Sequence, residues 1–340
     1  MPKRVIHIRT GVPLLDVASY ARRGPGNRDR LSPAEVQHIA RTDRRTPEVM
    51  VKVLSQGGQD LGAVGRHLDY LRFRDDGEIE LETDDGQRLS GQDVSKELLK
   101  DWDLDLEEDR RRSDLDARRS LSPRLVHKLM FSMPAGTPPE KVLAAVKNFA
   151  REEFALKHRY AMVLHTDEPH PHAHVVLKAV SEQGERLHIR KATLRGWRRE
   201  FAAHLRALGV DANATERAIR GATEPRKLDG IYRPAHDEKY QRYSTHMQER
   251  VEAVAMELRA GRIKVEAGKA KLAATRTEVE RGWRVVSDIL IAEGLADLAK
   301  QVRRFVGGMQ PAQTEKEIIA SGLVRHTRAP TTPEHSMPSR

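Results

Sequence analysis

The chain has 340 residues, enough for two or three domains. Its 38% hydrophobic content supports a core of ordinary size, while 4% aromatics excludes an aromatic-rich platform for stacking bases. Lys and Arg outnumber Asp and Glu by 60 to 50, a formal charge of +10 that favours a polyanionic partner, and the absence of cysteine excludes disulfides, cysteine-ligated zinc and a cysteine nucleophile.

Nucleic acid is the first candidate for that partner; an anionic membrane surface would fit the same charge. The basic start MPKRVIHIRT is not followed by an apolar run of signal-peptide length, and no segment approaches a membrane span. The chain therefore reads as soluble and cytoplasmic. Residues 1–47 read as a basic N-terminal arm, in which Ser32 caps a short helix with Pro33 in its first turn. VMVKVLSQ at 48–55 has strand chemistry, broken at Gly57-Gly58, and Leu61, Val64, Leu68 and Leu71 then recur at helical spacing. Asp-Asp-Gly turns flank the strand-like EIELET, and the charge-dense 97–120 reads as a solvated helix or linker. RLVHKLMFSM at 124–133 reads as a buried strand. Pro138-Pro139 opens an amphipathic helix, 160–166 and 173–179 read as two strands joined by a turn, and 193–208 reads as a helix closed by Gly209. A linker at 223–244, a helical module at 245–308 and a disordered tail at 309–340 complete the reading.

The most informative stretch is YAMVLHTDEPHPHAHVVLKAV, residues 160–180, which places four of the 15 histidines within ten residues. His172 and His174 would point about 200° apart on a helix, but they share one face of a strand. Two prolines between His165 and His172 force a turn. A hairpin then sets His165 opposite His172, with cross-strand Cβ atoms ~4.5–5.5 Å apart. Three imidazoles converging with coordination positions left over make a metal site of the catalytic kind. Ligand softness suits zinc, manganese, nickel or copper; a phosphate oxygen in the open positions would bring in magnesium or manganese. Asp167, just past His165, is read either as a carboxylate that orients a histidine or as a proton acceptor.

The spacing His165-x-Asp167-xxxx-His172-x-His174 resembles the third motif of conjugative relaxases in the HUH endonuclease superfamily. Its MobP class, which contains the relaxases that nick T-DNA borders, is the nearest pattern. Val51-Lys52-Val53 through HLDYLRFRDDGEIEL resembles that class's tyrosine motif, FSMPAGT its central strand and turn, and 185–221 the segment after the histidines. The resemblance covers about 48–221. The long segment before the tyrosine motif departs from the border-nicking pattern. Of the six tyrosines, Tyr70 alone sits in a strand-turn-helix context; Tyr20 in the arm does not.

The resemblance implies an α+β palm: a five-stranded antiparallel HUH sheet with helices on one face, over residues 48–222, plus the C-terminal helical module. It implies Tyr70 as nucleophile, Asp167 as its helper, and His165, His172 and His174 as ligands of a divalent metal, magnesium or manganese first, with zinc or nickel as alternatives. The expected activity is strand-specific nicking at a plasmid origin of transfer, through a 5′-phosphotyrosine, with single-stranded DNA, relaxosome accessory proteins and a type IV secretion coupling protein as partners and no membrane insertion. Lys52, Arg186, Arg190, Lys191, Arg195, Arg198 and Arg199 are the candidate DNA-binding residues. Two competing readings are a rolling-circle replication initiator or transposase of the same superfamily, and a non-catalytic basic DNA-binding accessory protein.

Overall fold

The computed structural model describes residues 30–54, 58, 60–74, 77–106, 124–222 and 242–328. Tyr20, Gly57, most of the expected linker and the end of the tail lie outside them. The chain divides into two compact units, Gln37–Thr215 forming the body of one, and 30–36 with the described residues from Glu216 onward belonging to the other.

The first unit is built on a six-stranded antiparallel sheet. Its strands are β1 (Met50–Leu54), β4 (Leu81–Thr83), β5 (Arg88–Leu89), β6 (Val126–Ser132), β7 (Tyr160–His165) and β8 (His172–Lys178), in the order β1-β6-β8-β7-β4-β5. A separate small hairpin pairs β2 (Phe73–Arg74) with β3 (Gly77–Glu78). Central β8 is buried along its whole length, which is why HAHVVLK lacks the polar-out alternation of a solvent-facing strand.

Alternation sorts the side chains onto two faces. On one face Leu129, Phe131, Met162, Val175 and Leu177 meet the buried sides of α4 (Pro139–Glu153) and α5 (Lys191–Ala207). Phe131 lies 5.0 Å from Phe149 and 5.3 Å from Phe201, ring centre to ring centre. On the other face Val126, Ala161, Val163 and Val176 meet α2 (Leu61–Arg72) and α3 (Val94–Asp101). The α+β class, the antiparallel palm and the C-terminal helical region agree with the sequence reading. Two details differ. The sheet has six strands, because the turn after EIELET folds back as β5, and the helices cover both faces.

The helix α1 (Pro33–Asp43) begins as expected: the Ser32 amide donates to Glu35 Oε2 (2.9 Å) and the Glu35 amide to Ser32 Oγ (3.3 Å). Residues 37–47, assigned to the arm by sequence, belong to the sheet-containing unit, where Thr42 Oγ1 lies 3.0 Å from Thr215 Oγ1. The front of the charge-dense segment is not solvated throughout, since Leu98, Trp102 and Leu104 are buried.

The second unit is helical: α6 (Arg242–Arg259), α7 (Lys269–Ala292), α8 (Ala296–Gly307) and α9 (Glu315–Arg328). Trp283, Val286, Leu290 and Val302 form its buried stripe. The helix α9 falls where the sequence reading expected a disordered tail; Thr314 starts it, with its amide donating to Glu317 Oε2 (2.9 Å). No described helix is long and apolar enough to cross a membrane.

Candidate metal centre

The histidine hairpin forms with the expected register: His165 stands directly opposite His172, and His174 opposite Val163. All three imidazoles therefore share the face covered by α2. They are buried, at 0%, 6% and 8% exposure for His165, His172 and His174. Ring centres lie 4.8 Å apart for His165–His174 and 5.2 Å for both other pairs. One nitrogen from each lies within 4.8 Å of the other two, the only such histidine or carboxylate cluster among the described residues.

Backbone carbonyls set two of the tautomers. His165 Nε2 lies 2.8 Å from the Leu71 carbonyl, and His172 Nδ1 lies 3.2 Å from the His170 carbonyl. A carbonyl can only accept, so each of these nitrogens carries the proton. The remaining nitrogens, His165 Nδ1 and His172 Nε2, present lone pairs. This is the outer hydrogen bonding that metal-ligating histidines characteristically have. Three buried imidazoles, each with one ring nitrogen within 4.8 Å of the others', fit a divalent transition-type ion.

The same Leu71 carbonyl ties the tyrosine helix to this centre. The helix α2 starts at Asp60, whose carboxylate accepts from the Gly62 and Ala63 amides at 3.0 and 3.1 Å. Val64, Leu68 and Leu71 press it onto the sheet. Gly58, just before it, has no room for a side chain: a Cβ there would sit 2.5 Å from the Val126 carbonyl oxygen. Ser95 on α3 donates to the Asp69 carboxylate. These contacts fix the last turn of α2, from which Tyr70 projects with 51% exposure. The tyrosine immediately precedes the residue whose carbonyl holds His165.

His67, three residues before Tyr70 and so on the same helix face, fills the space between. Its ring stacks on Tyr70 (6.4 Å, 18°) and meets His174 edge-on (6.5 Å, 76°). Burial, then the charge of Lys128 and then His165, lower its pKa to about 4, so the ring is neutral near pH 7. The sequence reading did not single out His67, although the three-residue spacing from Tyr70 was available to it.

The remaining expected residues divide sharply. Asp167 lies on the exposed turn between β7 and β8. His170, also exposed, stacks on His172 at 5.6 Å. Lys52 is on the histidine face: it stands opposite Met130, which stands opposite His174. The arginines do not join them. Arg186 bridges Val180, beyond the far end of β8, and donates to the Arg124 carbonyl (2.7 Å). Val180 lies eight positions along the chain from His172, roughly 26 Å for extended backbone. Arg190, Lys191, Arg195, Arg198 and Arg199 belong to α5 or its N-cap, and α5 packs on the opposite face of the sheet through Trp197, Phe201 and Leu205. Burial also lowers the pKa of Arg199. The basic character of α5 was legible in the sequence; the sheet face that it covers was not.

An antiparallel palm with a three-histidine centre on its two middle strands, and a tyrosine helix bonded to that centre, is the arrangement implied for a relaxase nuclease domain. Residues 83–209 match the family model of the MobA/VirD2-like relaxase nuclease domain. The chain is also 27% identical, over 192 residues, to the T-DNA border endonuclease VirD2 of Rhizobium radiobacter, a match taking in 52% of this chain and 44% of that protein. It therefore spans less than half the length of that relative. The family match contains all three histidines and begins after Tyr70.

Proposed function

We propose that this protein is a metal-dependent DNA-nicking relaxase in which Tyr70 attacks a phosphodiester at a plasmid origin of transfer. The observation that carries the reading is the hydrogen bond from His165 to the Leu71 carbonyl, which joins the histidine centre to the helix turn bearing an exposed tyrosine.

The residues divide the work as follows. His165, His172 and His174 would hold the divalent metal, magnesium or manganese, with zinc or nickel as alternatives. When bound, the metal offsets the negative charge that builds on the phosphate oxygens during attack. Tyr70 supplies the nucleophilic oxygen, and Asp167, two residues past His165, takes its proton. The P–O bond to the 3′ oxygen breaks, and that oxygen takes up a proton from solvent, leaving a 3′-hydroxyl and a 5′-phosphotyrosine. The tyrosyl phosphodiester keeps the energy of the bond that it replaced, so the reverse step reseals the strand without ATP. A neutral His67 holds the Tyr70 ring against the centre without adding a competing positive charge.

The substrate is single-stranded DNA at the origin. Relaxosome accessory proteins and a type IV secretion coupling protein are its partners, and the chain acts in the donor cytoplasm. Tyr70→Phe tests the reading on a supercoiled plasmid carrying the cognate origin, with Mn²⁺ present. The variant loses all detectable nicking and retains single-strand binding; nicking at the parent rate would refute the assignment.

A further inference from the structure

The side chain of Lys128 is largely buried. It is 5% exposed. Among the described residues no ion pair or hydrogen bond reaches its ammonium, although one to a carboxylate would be the normal condition of a buried lysine. Its neighbours make the placement costlier. Burial, and then the positive charge of Arg124, lower its pKa to about 8.

The register shows where this cation stands. On β6, Lys128, Met130 and Ser132 share the histidine face, and Met130 and Ser132 stand opposite His174 and His172. On β1, Lys52 stands opposite Met130 and Leu54 opposite Lys128. Lys52 and Lys128 are thus diagonal neighbours, about 7–8 Å apart at the backbone. Lys128 also acts electrostatically on His67, the ring between Tyr70 and His174. The apolar cluster beneath α2 and α3 reaches Val126 on β6 and includes no residue of β1. Two lysines therefore lie on the sheet beside the tyrosine helix, leading to the histidines.

We infer that Lys128 and Lys52 form a phosphate-binding floor that holds the backbone of a single DNA strand against the sheet, with Lys128 gripping a phosphodiester close to the one cleaved. This rests on the relaxase reading. An anion is the ligand that would compensate a cation on a largely buried side chain with no carboxylate beside it, and a strand entering beside α2 passes Lys52 and Lys128 on its way to Tyr70. Lysine suits such a role, since a point charge tolerates any base sequence and grips only the backbone.

The test uses the full chain, a fluorescein-labelled single-stranded oligonucleotide of random sequence, and EDTA, so that neither origin sequence nor metal enters. Each phosphate contact contributes a slope of ~0.7 to the fall of log affinity with log salt on single strands. Lys128→Met is expected to weaken binding at low salt by about tenfold and to reduce that slope by ~0.7. It is also expected to melt at a higher temperature than the parent, because it removes a charge from a largely buried side chain. Lys128→Arg retains the slope, and Lys52→Gln, at a half-buried position, lowers it similarly. An unchanged slope in Lys128→Met, or a lower melting temperature, would make Lys128 a structural residue and overturn the inference. A parent protein that binds no single strand would instead refute the relaxase reading.

Discussion

Replacing His172 by alanine removes one of the three imidazoles clustered on the palm. The His172 Nδ1–H is donated to the His170 carbonyl, so Nε2 is the atom that would bind an ion in the three-histidine reading. At a free metal concentration 100 times the dissociation constant, binding stabilises the folded state by about 2.7 kcal/mol. For a domain of this size that is a rise in melting temperature of roughly 5–11 °C. Loss of a group that only orients a ligand weakens metal binding by about 10–100-fold, and loss of the ligand itself costs at least as much. At the same metal concentration the stabilisation then falls to about 1.4 kcal/mol at most, and to about 0.4 kcal/mol for the hundredfold case. The metal-induced shift should therefore drop to half or less of the parent's. Thermal melts across a Mn²⁺ series measure it. Each variant is compared with its own metal-free melt, which removes the cost of the cavity left by the ring. An equal shift in parent and His172→Ala would refute the three-histidine site.

Two further predictions test the fold and its pH response. Phe131→Ala empties the centre of the aromatic cluster on the opposite face, at a cost of about 3–5 kcal/mol, which lowers the melting temperature by roughly 6–20 °C; a loss below about 2 °C would contradict the packing described. His127, which donates to the Leu187 carbonyl at 3.1 Å, has its pKa lowered by burial from 6.5 to about 4. Its unfolded form takes up a proton below about pH 6.5, while the folded ring stays neutral to about pH 4, so stability is lost as pH falls through that window. Urea midpoints at neutral pH and at about pH 4.5 should therefore differ less in His127→Gln than in the parent; an equal difference would refute the assignment.

The hairpin was legible because strand arithmetic is rigid. Period-two alternation and two prolines were enough to set His165 against His172, and β1, α2, β6, α4, β7 and β8 all form near their expected bounds. What the sequence concealed was tertiary. The helical spacing of 193–208 gives an amphipathic helix but not the sheet face that it covers, so its arginines were grouped with histidines that lie on the other side. Lys128 was read as part of a buried strand. Only its pairing, with Met130 set opposite His174, shows that it shares the histidine face. His67 was not singled out, because only the packing of α2 on the sheet sets its ring beside both Tyr70 and His174. The short hairpin strand β5 and the helix α9 carry too little apolar periodicity to stand out.

The covalent step is the centre of the account, and one measurement addresses it directly. The full chain is incubated with Mn²⁺ and single-stranded DNA spanning the cognate origin, then digested with nuclease and protease and analysed by mass spectrometry. The account predicts a 5′-phosphonucleotide joined to the peptide that contains Tyr70. Cleavage that leaves a free 5′-phosphate, or an adduct on Tyr20 or any other tyrosine, would contradict it.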